Sequence, residues 1–422
     1  MKLIAVMLSL GLPLCAATFN VRDFGATGDG RTADTAAIQK ALDACQPAGG
    51  TVELPAGTYW CQPLTLHAHT TLQLDAGALL QATTNQADFM KKPGNWLKAG
   101  GKGEFIPLIS GHNLTDVTFT GSGIIDGNGQ VWWGEAEKAR QIRPGYTLPR
   151  PNLIGLDRCR NVRVENITLR NSPKFHLVPS DCEDLVISNV TILAPEHAAN
   201  TDAIDPSGRR ILITHCTIDV GDDNVAIKGG KAPPGHDFAS EDITVSDCTF
   251  KHGHGMSIGS ETAGGVRNVL VRNCTFANTE NGLRIKSDAR RGGLVENVTY
   301  ENITMSNVAP AITLTCVYQQ NSAGDARPAP DSPAPAGGKI PVFRNLRITH
   351  LTATCPQAAG LINGLPESCI SNVVLEDVNI TAGKSFAIRN ARGIQFKHVT
   401  VTVAGGAPFA LENAEVSGWE AK

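Results

Sequence analysis

The sequence predicts an all-β fold in which short strands wind into a parallel β-helix of about 11 coils, closed at its N-terminal end by a capping helix. The first observation is a repeat: a polar residue, an apolar residue or Cys, then Thr. It occurs as Asp116-Val117-Thr118, Asn166-Ile167-Thr168, Asn189-Val190-Thr191, His215-Cys216-Thr217, Asp247-Cys248-Thr249, Asn273-Cys274-Thr275, Asn302-Ile303-Thr304, His350-Leu351-Thr352 and His398-Val399-Thr400. Between Thr168 and Thr304 the threonines are 23, 26, 32, 26 and 29 residues apart. With the longer intervals of 50, 48 and 48 counted as two coils each, one coil takes about 26 residues. The second observation is period-two alternation beside each repeat, as in Val162-Arg163-Val164, Leu185-Val186-Ile187 and Ile243-Thr244-Val245. The third is that Val, Ile and Thr dominate, which disfavours helix-rich leucine repeats. A coil alone exposes its apolar face; stacking at about 4.8 Å buries it and builds a rod of roughly 50 Å.

Taken in order, Met1-Lys2, the apolar run from Leu3 to Leu14 and Cys15-Ala16-Ala17 read as a signal peptide cleaved after Ala17. The run is too short for a membrane span. Residues 18–422 are then one exported domain, secreted or passing through a periplasm, with no membrane association. Asp34 is expected to cap a helix whose Ile38, Ala41, Leu42 and Cys45 form one apolar stripe, covering the open end of the first coil. The first strand is expected at Thr51-Val52-Glu53-Leu54-Pro55. The Pro- and Gly-rich stretch from Asn321 to Lys339 is a surface loop inside one double interval, because the repeat resumes at Phe343-Arg344-Asn345-Leu346.

The charge balance, 37 Lys+Arg against 40 Asp+Glu, offers no global attraction to nucleic acid or anionic lipid. An anionic partner must therefore meet a local basic patch. Cys216, Cys248 and Cys274 share the apolar column of the repeat and read as small buried hydrophobes. Disulfides are allowed in an oxidising compartment, and Cys45 with Cys61, and Cys355 with Cys369, are more plausible stapling pairs than the column cysteines, though sequence does not fix the pairing. Cysteine and histidine spacings match no zinc site, and no metal or cofactor is expected. The sequons at Asn113, Asn166, Asn189, Asn273, Asn297, Asn302 and Asn379 are mostly parts of the repeat.

Chemistry concentrates in four segments: Asn200-Thr201-Asp202-Ala203-Ile204-Asp205, Gly221 to Lys228, Gly253-His254-Gly255-Met256-Ser257-Ile258-Gly259 and Gly282-Leu283-Arg284-Ile285-Lys286-Ser287. Ile204, Ile227, Ile258 and Ile285 are 23, 31 and 27 residues apart, single-coil spacings that stack the segments. Asp202, Asp222, Asp223, His254, Arg284 and Lys286 then share one face. The threonine frame puts His254 over Asp222 and the isoleucine frame puts it over Asp223. Crowded carboxylates raise one another's proton affinity, so one can donate to a departing glycosidic oxygen while another activates water. Arg284 and Lys286 suit a sugar carboxylate.

The motifs Asn-Thr-Asp, Gly-Asp-Asp, Gly-His-Gly and Arg-Ile-Lys, in that order, resemble the signature of the polygalacturonases, the pectin-depolymerising family 28 glycoside hydrolases. The likeness extends over nearly the whole mature chain, including Phe19-Asn20-Val21-Arg22-Asp23-Phe24-Gly25-Ala26 and Asp126-Gly127-Asn128-Gly129, and is nearest the bacterial branch. It implies a right-handed helix and an inverting, cofactor-free hydrolase of α-1,4 linkages in de-esterified galacturonan, endo-acting, with an exo-acting enzyme or a hydrolase of substituted pectin as alternatives. By resemblance Asp222 is the general acid, Asp202 and Asp223 activate water, and His254 supports them. Arg284, Lys286 and Tyr318 hold substrate. Ala203 stands where bacterial members often carry Gly.

His176 is placed beside the groove, from the preceding coil. Trp132 and Trp133 either line its mouth or pack an inserted loop. Lys228, Lys231, Lys251, Arg290 and Arg291 either widen the positive field or are ordinary surface residues. A monomer is the default. The reading from another class is a non-catalytic polysaccharide-binding rod, such as an adhesin; three carboxylates beside the cations argue against it.

Overall fold

The computed structural model describes residues 17–91, 103–142, 147–289, 291–318 and 340–418. Within them the chain is a right-handed parallel β-helix. One ladder of parallel strands climbs from Thr18–Asn20 through Gly50–Leu54, Thr115–Gly121, Cys182–Ser188 and Ser240–Ser246 to Ile370–Val403. Its inward residues stack like on like: Val162 on Leu185, Leu185 on Ile211, Ile211 on Ile243 and Ile243 on Val269, all buried. Together such columns form one continuous core along the rod.

The repeat marks a corner. From Thr168 to Thr304 each threonine pairs with the threonine of the next coil. The polar residue before it sits at positive φ, between 52° and 63° at Asn166, Asn189, His215, Asp247, Asn273, Asn302, His350, Asp377 and His398. Asn and Asp tolerate that left-handed geometry best, and their side chains then bond one another up the rod. Asn189 Nδ2 donates to Asn166 Oδ1 at 2.8 Å, and Asn302 Nδ2 to Asn273 Oδ1 at 3.1 Å. Cys216, Cys248 and Cys274 fill the buried column as expected.

Several expectations need correction. Thr118 pairs with Arg163, so Asp116-Val117-Thr118 belongs to a neighbouring corner. Thr304 pairs directly with Thr352, so that 48-residue interval is one coil carrying a long excursion. Strands begin at Thr18–Asn20, before Thr51. The helix α1 (Thr35–Ala44) does bury Ile38, Ala41 and Leu42, but the Asp34 side chain does not cap it. Asp34 instead accepts from the Thr27 and Gly28 amides at 2.7 and 3.1 Å, pinning the preceding loop. Cys45, Cys61, Cys355 and Cys369 are free thiols, so neither stapling pair is formed. The signal segment before Ala17, the loop from Asn321 to Lys339 and Arg290 lie outside the described residues.

Candidate active site

The isoleucine frame holds for three of the four segments. Strand Val225–Ile227 pairs with Met256–Gly259, and that with Leu283–Lys286, so Ile227, Ile258 and Ile285 stack. Ile204 pairs with Val225 rather than Ile227, a shift of two residues. The shift makes Asp202 and Asp223 equivalent positions of successive coils. The Ala203 amide donates to the Asp223 carbonyl at 2.9 Å.

Asp223 is the electrostatic centre. Its Oδ1 accepts from Ser257 Oγ at 2.9 Å and from the Arg284 guanidinium, and its Oδ2 accepts from Lys286 Nζ at 2.7 Å. Arg284 Nε also donates to Ser257 Oγ at 2.9 Å. Burial alone would raise the Asp223 pKa, but Arg284, Lys286 and Lys228 outweigh it and hold the carboxyl far below the usual range. Both cations are thus satisfied inside the protein.

His254 reconciles the two frames. Strand register makes it equivalent to Asp223, yet its Nδ1 lies 3.0 Å from Asp222 Oδ1 and 4.0 Å from Asp223 Oδ1. Its amide also donates to the Asp222 carbonyl at 2.8 Å. The flanking glycines permit this. A Cβ on Gly253 would meet the Asp222 carbonyl oxygen at 2.5 Å, and one on Gly255 the Asn281 carbonyl oxygen at 2.1 Å, both at positive φ. Glu280 holds the other ring nitrogen, Nε2, at 3.0 Å. Burial opposes the imidazolium, but the bonds to Asp222 and Glu280 win and lift its pKa to about 10.

The acids divide unequally. Burial, then the charges of Asp222 and Asp205, push the Asp202 pKa well above the ordinary value, and its buried Oδ1 has no hydrogen-bond partner. Asp222 goes the other way: burial raises it, but the His254 bond and charge bring it below the usual value. Of the two acids, Asp202 therefore has the higher proton affinity in the free protein, and Asp222, the expected donor, the lower.

Other sequence expectations sort by burial. Tyr318 does join the site, its ring 5.2 Å from Lys286 Nζ. His176 does not. It is fully buried, its ring nitrogens contact the carbonyls of Asp202 and Leu193, and burial depresses its pKa to about 4. It supports the backbone beneath Asp202 and cannot touch a sugar. Trp132 lies edge-on between Phe89 and Phe105, at 5.8 and 5.5 Å, packing helix α2 (Gln130–Ile142). Trp133 is half-buried and donates to the Ser172 carbonyl at 3.1 Å. Lys228 and Arg291 both pair with Glu261, whereas Lys231 and Lys251 are exposed.

Two supports escaped the sequence. Arg150, 5% exposed, donates to the carbonyls of Leu148, Pro173 and Ala199 and, at 2.9 Å, to Asn200 Oδ1. The Asn200 amide in turn donates to Asp222 Oδ2 at 3.1 Å. Asp205, buried with its pKa raised to about 6, lies 3.3 Å from Lys228. Arg150 lies outside the repeat, so spacing gave no signal for it, whereas Asp205 closes the first of the four segments and only its contact with Lys228 was unforeseen. Asp222, Asp223 and His254 are grouped closely enough to hold a metal ion. Arg284, Lys286 and the His254 imidazolium already neutralise them, so the group does not fit a resident dication.

Residues 46–407 match the family described as "Glycosyl hydrolases family 28". The chain belongs to that family. The family 28 enzyme is 35% identical to an endo-polygalacturonase of Pectobacterium carotovorum subsp. carotovorum, over 84% of this chain and 86% of the relative. It is 31% identical to an exopolygalacturonase of Zea mays, over 89% and 88%. Among solved structures it is similar to the polygalacturonase from Erwinia carotovora ssp. carotovora, with 30% identity, 97% and 99% coverage and a TM-score of 0.73. The family 28 enzyme is a glycoside hydrolase, which sets aside the non-catalytic rod.

Proposed function

We propose that this enzyme is exported and hydrolyses α-1,4 linkages between galacturonate units of de-esterified pectin, with inversion and inside the chain. The observation that carries this reading is the convergence of Asp202, Asp222 and Asp223 with two cations, Arg284 and Lys286, on one groove face. Adjacent acids provide a proton and a water-activating carboxylate. The cations suit a substrate whose every sugar is charged.

In this mechanism Asp202 and Asp222 repel each other and retain one proton between them. An anionic uronate arriving beside Asp222 raises that carboxyl's proton affinity, and the proton passes to it. Asp222 then protonates the glycosidic oxygen as the bond from C1 to oxygen breaks. Asp202, now ionised, acts with Asp223 to orient water and takes its proton while the water oxygen bonds to C1 from the opposite face. The products are two chains, one with a new reducing end, and no double bond forms.

A time course on polygalacturonate tests this. Intermediate oligomers from the outset, rising reducing ends and no absorbance from unsaturated products are expected. Monomer or dimer alone would make the enzyme exo-acting, and an ultraviolet-absorbing product would reject hydrolysis. Anomeric NMR over the first turnovers tests inversion. The residues from Met1 to Ala17 serve as the export leader in this reading, checked by the N-terminal residue of the protein recovered outside the cell.

A further inference from the structure

A second cationic feature stands on the other side of the acids from Arg284 and Lys286. Leu177 pairs with Ile204 and Ile204 with Val225, so Phe175, Asp202 and Asp223 occupy equivalent positions in three successive coils. His254, equivalent to Asp223, lies in the next coil of the climb and Arg284 in the one after it. Lys174 and Arg284 are thus separated by four coil steps, roughly 19 Å along the axis, with the acids between them.

Lys174 Nζ lies 4.2 Å from the centre of the Phe175 ring, and Lys228 Nζ lies 5.8 Å from the same ring. The two ammonium groups have different fates. Lys228 is paired with Asp205 and Glu261 at 3.3 and 3.7 Å. Lys174 has no carboxylate within ion-pair distance among the described residues, and both it and Phe175 are half-buried. Burial holds its pKa below the usual lysine value, and the charges of Asp202 and Asp205 only partly offset this. Ring contact favours the cation but accepts none of its three N–H donors conventionally. Such an ammonium lacks its anion.

We propose that Lys174, seated on Phe175, is a carboxylate-binding subsite for a further uronate of the same chain, on the N-terminal side of the scissile bond. The inference rests on the galacturonan reading above. Phe175 offers a flat apolar face to a sugar ring while Lys174 meets its carboxylate, so the substrate is gripped by charge at both ends of the acid cluster. The site would discriminate against a methyl ester at that sugar, because the ester removes the charge that the amine requires.

The test uses Lys174→Gln and Lys174→Arg in an Asp222→Asn background, with hexagalacturonate and its fully methyl-esterified form as probes in calorimetric titrations. Lys174→Gln is expected to weaken hexagalacturonate binding about ten-fold, the effect of one charge-assisted hydrogen bond. It should leave the ester's affinity unchanged, and Lys174→Arg should bind the acid nearly as the parent does. Equal weakening for acid and ester, or no weakening, overturns the subsite. Melting temperatures identify a misfolded Gln variant, and Lys174→Met in the same background then decides the matter by whether affinity falls for the acid and not for the ester. Cleavage of polygalacturonate by the wild type reports separately on the function. Cleavage with unchanged binding by Lys174→Gln defeats the subsite alone, whereas charge-selective weakening without cleavage defeats the hydrolase reading alone.

Discussion

His254 Nδ1 stands 3.0 Å from Asp222 Oδ1 while the opposite ring nitrogen stands 3.0 Å from Glu280. The imidazolium is clamped between two carboxylates, one buried in the site and one open to water. Glu280→Gln removes the outer anion, so the ring's titration midpoint, followed by imidazole NMR, should move down from about 10. The His254 pKa is raised above its ordinary value, so its stabilisation is complete below about pH 6.5 and is lost as pH rises through about 10. Denaturant unfolding of the wild type should show that decline, and His254→Gln should lack it. A midpoint unmoved by Glu280→Gln would contradict the clamp.

Asp223 predicts the opposite pH dependence. Its carboxyl is held below the ordinary value, so the stabilisation is present above about pH 4 and lost as pH falls further. Asp223→Asn should flatten that acid limb. Arg284→Met leaves Asp223 with less compensation and should cost about 3–5 kcal/mol in urea unfolding, the usual penalty for breaking a buried pair.

Asp202 trades stability for chemistry. Its pKa is raised on folding, so at neutral pH its unfolded form ionises more readily and its burial is destabilising. Asp202→Asn should raise Tm at pH 7 while removing most turnover. In an infrared-monitored acid titration the wild type should show one carboxyl protonating above the ordinary aspartate range, a band that Asp202→Asn lacks. A fall in Tm would count against a raised Asp202 pKa.

Arg150 acts through Asn200. Arg150→Met frees the Asn200 side chain and should reduce kcat about 100-fold, the scale expected when a catalytic group shifts by about 1 Å. The KM for hexagalacturonate should change much less. An equal rise in KM would mark Arg150 as a substrate contact instead.

The ten described cysteines should all titrate as thiols after denaturation without reductant. Cys248→Val, nearly isosteric within its column, should cost under about 1.5 kcal/mol.

What could be read from sequence was whatever the helix repeats. The threonine column, its left-handed corner and the stacking of Ile227, Ile258 and Ile285 all follow from one residue type recurring at one place in each coil. Ile204 misled by two residues because its strand partner is Val225, so the isoleucine of the next coil, Ile227, does not occupy the equivalent position. Arg150, and its contact with Asn200, were invisible because the two meet outside the repeat, 50 residues apart. The unequal proton affinities of the two acids were equally hidden. Burial and the His254 contact divide Asp202 from Asp222, and neither leaves a mark in the spacing.

The corner ladder bears on how the protein can be made. Asn189, Asn297 and Asn302 are sequons whose Nδ2 atoms already donate to a residue one coil below. A glycan attached to any of them takes one of that nitrogen's two hydrogens and sets bulk beside the neighbouring rung. Manufacture in a yeast that decorates these sites would fray the corner, whereas a cell without that machinery leaves it whole.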